Sequence, residues 1–143
     1  MTARYAEIFA LFTRAATHMR YPAMHFRTKN GDKIRIYLAT KSIIVITLNG
    51  GYIGKLPAAD KNIILYDSPL FHHNELMREL EAFMEHPIYE SSLHGKEYGR
   101  CCFCNRELDN EGSIFHGYGP VCAEKWGLPW LPVMKASDWL DDL

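Results

Sequence analysis

The first hundred residues contain no cysteine. All four, Cys101, Cys102, Cys104 and Cys122, fall within a span of 22 residues of the 143-residue chain. That placement excludes a disulfide framework spread over the fold and points to a local metal site in a reducing compartment. No run of about 18 apolar residues occurs, which excludes a spanning helix and a membrane role through one. The start, Met-Thr-Ala-Arg-Tyr-Ala-Glu, lacks the apolar stretch of a secretory signal, so a cytoplasmic protein is expected. Phosphate-binding loops, nucleophile–base pairs and paired carboxylates are also missing, and with them the usual marks of an enzyme. There is no internal repeat and no low-complexity tract. Acidic residues are scarce in the first half. Residues 1–67 carry ten Lys/Arg against four Asp/Glu, and residues 68–143 reverse this with six against thirteen, although the net charge is only −1. The two halves therefore face different partners or attract each other.

What is present is ample apolar material, with 48% hydrophobic and 13% aromatic residues. Tyr5, Ile8, Phe9, Phe12, Ala15, Ala16 and Met19 recur at helical spacing, predicting an amphipathic helix that Pro22 stops. From Met24 to Tyr66 the period changes to two. A two-residue turn at Asn30-Gly31 would pair Phe26 with Arg35 and mix charged and apolar side chains on one face. A three-residue turn at Lys29-Asn30-Gly31 pairs Phe26 with Ile34 and Met24 with Ile36, and places Gly31 where left-handed backbone is needed, so facial parity selects it. Ile43–Ile46 reads as a central strand covered by helix on at least one side, Asn49-Gly50-Gly51 as a turn, and Tyr52–Leu56 and Asn62–Tyr66 as two more strands. Ser68 and Pro69 predict the N-cap and first residue of a second helix that ends at Pro87, with residues 91–99 a linker. His72 and His73 read as the exposed start of that helix. The expected fold class is α+β, with an N-terminal helix, an antiparallel meander of about five strands, a second helix and a C-terminal zinc-knuckle module. The expected divisions are a helix–sheet–helix domain at 1–90, a zinc-binding module at 91–131 and an acidic-aromatic tail at 132–143.

Cys101 and Cys104 form a C-x-x-C pair, in which two thiolates grip one metal from a tight knuckle whose amides turn towards sulfur. Asn105, just after it, tolerates the positive φ such a knuckle needs. Pro120 would open a short helix with Cys122 in its first turn, where the helix N-terminus favours a third thiolate. The fourth ligand is open at this stage. His116 completes a three-cysteine, one-histidine site, Cys102 would complete an all-cysteine one, and His94, an acidic residue or water are the other choices. The expected metal is zinc in a structural role, since no recognisable general base stands beside the cluster as a catalytic zinc with an open water position would need.

These residues carry a resemblance. The stretch from Gly99 through Cys101, Cys104, Arg106 and Leu108 to Ser113-Ile114 and Gly117-Tyr118-Gly119-Pro120-Val121-Cys122 resembles a family of short zinc-finger-like domains of unknown function, common in bacteriophage and bacterial proteins. The family pattern reads C-x-x-C-G-R-x-L, then S-I or S-V, then G-x-G-P-x-C. The resemblance implies zinc ligands at Cys101, Cys104 and Cys122, with Arg106, Ser113 and the Gly117–Pro120 turn as framework. It implies no catalytic residue, and host bacterial cytoplasm if the chain is phage-encoded. Asn105 stands where the family has glycine, and the family does not regularly have histidine at the position of His116.

Away from the cysteines, the derived hairpin register puts His25, Arg27, Lys33 and Arg35 on one outward face, with Lys29 at the tip and Tyr37 further along. A basic ribbon of this kind suits contact with phosphates. The expected function is that of a non-enzymatic, phage-type accessory protein binding nucleic acid or a nucleic-acid-handling protein. Two alternatives are a protein-directed inhibitor of a host enzyme or defence system, using the acidic half or the tail around Trp139, and a metal-dependent enzyme.

Overall fold

A computed structural model describes residues 4–59 and 62–131; the tail expected at 132–143 lies outside the described residues. Helix α1 (Ala6–Ala16) leads into a five-stranded antiparallel sheet in sequence order: β1 (Ala23–Arg27), β2 (Lys33–Thr40), β3 (Ile43–Leu48), β4 (Gly51–Pro57) and β5 (Ile64–Leu65). Helices α2 (His73–Glu85), α3 (Pro87–Tyr98), α4 (Glu111–His116) and α5 (Pro120–Trp126) follow. The chain is α+β, and the hairpin register is the one facial parity selects: Phe26 lies opposite Ile34 and Met24 opposite Ile36. Gly31 sits at φ 86°, a left-handed position natural for glycine.

One face of the sheet is buried. Met24, Phe26, Ile34, Ile36, Ile44, Ile46 and Leu48 join Ile8, Leu11 and Phe12 of α1 and Leu76, Leu80, Phe83 and Met84 of α2 in a single core. Phe26 stacks on Phe83 with ring centres 4.1 Å apart. The same core runs on into the cysteine region. Trp126 is fully buried, edge-on to Phe12 at 5.1 Å and 4.9 Å from Phe103. Trp126 therefore joins the C-terminal module to α1 through apolar packing, the largest favourable contribution available to such a contact.

Four sequence-based expectations are corrected. Helix α1 ends at Ala16, before the approach to Pro22, and Thr17 and His18 close it with turn hydrogen bonds. Helix α2 begins at His73, not at Pro69. Ser68 instead accepts a hydrogen bond from the Leu70 amide, holding a local turn, and Leu70 is exposed. The α2 core stripe starts only at Leu76, so an earlier turn of helix would have had little to bury beyond the partly buried Phe71. Residues 91–99 are not a linker but most of α3, with Pro87 at its start and Gly99 closing it at φ 71°. Its buried stripe is Pro87, Ser91 and Gly95, small residues rather than large apolar ones, which is why hydrophobic periodicity missed it. The boundary expected at residue 90 falls inside this helix. Finally, the fifth strand spans two residues, Ile64 and Leu65, rather than five.

Strand β1 is a sheet edge, yet its outward amides are occupied. The His25 amide donates to the Cys102 carbonyl at 2.6 Å and the Arg27 amide to His94 Nε2 at 3.1 Å; just past the strand, the Lys29 amide donates to Glu79 Oε1 of α2 at 2.8 Å. The cysteine knuckle and α3 thus do what a further strand would otherwise do, and block edge pairing with another chain.

Candidate metal centre and basic cleft

Residues 99–108 form the knuckle. The Asn105 amide donates to the Cys101 carbonyl, the Cys101 amide to the Arg106 carbonyl and the Leu108 amide to the Gly99 carbonyl. Asn105 closes the turn at φ 60°, as its position predicts. Gly119 caps α5, Pro120 opens it and Cys122 lies in its first turn.

These elements bring Cys101, Cys104 and Cys122 together, their sulfurs all within 4.8 Å of one another. Tetrahedral zinc with bonds of about 2.3 Å sets sulfurs about 3.8 Å apart, so the three thiols fit a metal ion with small adjustment. The Phe103 amide points at Cys101 Sγ at 3.4 Å, and backbone groups of Gly119 and Arg106 bond the Cys101 and Cys104 sulfurs. Hydrogen bonds from Cys101 and Cys122 hold the Cys104 thiolate well below the ordinary thiol range. Its bonds with Cys101 and Cys104, and then burial, push Cys122 far up, and Cys101 is raised by its bond to Cys104. Three thiols this close cannot all ionise on their own, and a divalent cation removes that conflict.

Among the described residues no fourth side chain joins the three thiols. The structure does not bring His116 to them. His116 Nδ1 bonds the Gly112 carbonyl at 2.8 Å, its Nε2 accepts from the Leu131 amide at 2.8 Å, and its ring stacks on Trp130 at 4.2 Å. Both ring nitrogens are in use, because α4 turns the ring towards residues 130–131. Cys102 is buried and points the other way, its thiol donating to the Ser91 carbonyl at 3.7 Å, and burial pushes its pKa well up. It ties the knuckle to α3. His94 is likewise engaged, as the acceptor for the Arg27 amide.

The basic ribbon is not a free surface. Arg27, Lys33 and Arg35 line a cleft of about 660 Å³ whose other side is His94 and Tyr98 of α3 and Arg100 of the knuckle. No carboxylate occurs among the described residues that line it. Lys29 does not line it; it lies with Glu79, Glu90 and Glu97 in an adjoining depression beside α2 and α3, which shares Arg27, His94 and Tyr98 with the cleft. Arg100 donates to the Asn105 carbonyl and pairs with Glu107 at 3.6 Å, but both side chains are largely exposed, so that pair holds it weakly. Sequence reasoning missed Arg100, His94 and Tyr98 as partners of the ribbon. Nothing in their spacing relates them to it, since α3 itself read as a linker.

Burial and then the neighbouring Arg27 charge lower His94 to a pKa of about 4, so it is a neutral acceptor at physiological pH. The folded value lies below the ordinary 6.5, so the stabilisation is complete above pH 6.5 and is lost as pH falls from there towards 4. The effect is on the order of 1 kcal/mol once solvent screening of a half-buried ring is allowed for. Between pH 7 and pH 5 the wild type should lose about that much more stability in urea titrations than His94→Gln. Equal losses would show that His94 has no such role.

The profile of a family of unknown function (DUF6011) matches residues 91–127, which hold α3 from Ser91 on, the knuckle, α4, and α5 up to its capping glycine. Neither a curated protein nor a solved structure matches the chain. Among the described residues no helix is long and apolar enough to cross a membrane.

Proposed function

We propose that the protein is a non-enzymatic, zinc-braced accessory protein of the phage type, and that it binds nucleic acid in the basic cleft. The observation behind this reading is the convergence of Arg27, Lys33 and Arg35 from the sheet with Arg100 from the knuckle, around a cleft lined by no described carboxylate. Such a field attracts polyanions and raises their rate of encounter. Zinc is the metal that suits a soft, closely spaced thiolate set without redox demands. Its role in this reading is structural. Cys101 and Cys122 lie in the core beside Trp126, and the adjacent Cys102 carbonyl holds the β1 edge.

The test is binding to labelled DNA and RNA across a salt series. Affinity should fall steeply with salt, and the Arg27→Ala/Arg35→Ala double variant should lose about tenfold or more at low salt and flatten the slope by about two. Binding that is absent, or indifferent to both salt and these arginines, would sink the proposal. A protein partner is the second reading, favoured by the exposed apolar side chains Ile114, Phe115 and Val121 on α4 and α5. It predicts capture of a host protein that Phe115→Ser abolishes.

A further inference from the structure

The cleft offers a shape and one exposed ring besides its positive charge. Elements that read duplexes protrude, because a helix or ribbon must enter a groove about 12 Å wide. Here the geometry is the inverse. The basic face of the β1–β2 ribbon is the floor, and the end of α3 and the knuckle rise beside it. The volume, about 660 Å³, is in the range of pockets that enclose small organic ligands, and so suits a nucleotide or two rather than a double helix.

Tyr98 supplies what a single strand needs and a duplex does not use. It lines the cleft and is 42% exposed, and its ring lies against His94 at 4.4 Å. His94 is itself fixed, by accepting the Arg27 amide and by its edge-on contact with Phe26. Tyr98 is therefore a braced platform, supported by His94 and exposed where the cleft meets the adjoining depression. An aromatic platform beside a basic groove is how proteins hold unpaired bases with little regard to sequence.

We infer that the cleft takes a single-stranded nucleic acid, with one base stacked on Tyr98 and neighbouring phosphates on Arg27, Lys33, Arg35 and Arg100. The inference rests on the nucleic-acid reading above and narrows it. It also gives the knuckle a part in binding, because Arg100 immediately precedes Cys101.

The experiment uses the full metal-loaded chain and fluorescence anisotropy with an unstructured single-stranded oligonucleotide, a blunt duplex of the same length, and a mononucleotide as competitor. The single strand should bind at least tenfold more tightly than the duplex. Tyr98→Ala should lose about tenfold on the single strand and leave duplex binding unchanged, while Tyr98→Phe retains wild-type affinity. A duplex bound as tightly as the single strand, or a Tyr98→Ala variant that binds normally, overturns the single-strand inference and leaves the nucleic-acid reading standing. A mononucleotide that competes as well as the strand, nucleotide for nucleotide, overturns it in favour of a small-ligand site. No binding of any of the three overturns both.

Discussion

Cys104→Ser should abolish metal binding and lower the melting temperature of the whole chain by about 10 °C or more, corresponding to several kcal/mol. The size of the effect comes from where the cluster sits. Cys101, Cys102, Phe103 and Cys122 belong to the same core as α1, α2 and the sheet, so loosening the knuckle also exposes Trp126 and frees the β1 edge. Cys104 is the informative position because it is the exposed member of the three, and serine there creates no cavity. A chelator should bring the wild type down to the melting temperature of the variant and leave the variant unaffected. Elemental analysis should give one metal per wild-type chain and none in Cys104→Ser. If the variant keeps its metal, or melts with the wild type, the three thiols are not the brace described here.

Gly95→Ala should be strongly destabilising although it adds a single methyl group. Helix propensity alone predicts a gain of about 1 kcal/mol for alanine at an interior helical glycine. The structure predicts the opposite sign. A β-carbon at Gly95 would overlap the Gly117 carbonyl, and one at Gly117 would overlap the Ser92 carbonyl in the same way. Backbone lies on backbone here, and the Ser92 hydroxyl also donates to the His116 carbonyl at 2.6 Å. Neither side can yield as a flexible side chain would, so a loss of about 3 kcal/mol is expected, at the upper end for overpacking. Gly99→Ala is the control. Gly99 also has an unusual conformation, φ 71°, but a β-carbon there has nothing within 4 Å, so only the left-handed backbone cost of about 1–2 kcal/mol applies. Urea titrations of the two variants measure the difference, and a Gly95→Ala variant at or above wild-type stability would mean that α3 does not dock on the α4–α5 turn as described.

The readings that succeeded were those in which one local rule had one outcome. The β1–β2 register followed from parity, because any one-residue slip puts Arg35 where Ile34 must be buried. Asn105 in the left-handed region and Pro120 opening the helix under Cys122 followed from backbone preferences of single residues. Those that failed needed knowledge of a distant neighbour. Ser92 and Gly95 look like linker residues until Gly117 is placed against them, and Ser91 until Cys102 is, after which their small size is the packing requirement. His116 looks like a ligand by spacing, but the Leu131 amide and Trp130 claim its ring. The outward face of the hairpin was legible as basic, and its closure into a cleft was not.

The sequence by itself determined the fold class, the order of strands, the buried face of the β1–β2 hairpin and the three cysteines that meet, because periodicity, turn chemistry and knuckle spacing are properties of near neighbours. Only the tertiary structure decided that the module shares one core with the rest, that Cys102 and His116 serve packing, and that Arg27, Lys33 and Arg35 meet Arg100 and Tyr98 across a cleft. Those outcomes depend on contacts between residues far apart in the chain. Docking α3 by its smallest residues, rather than by an apolar stripe, leaves no periodic signal from which they could be read.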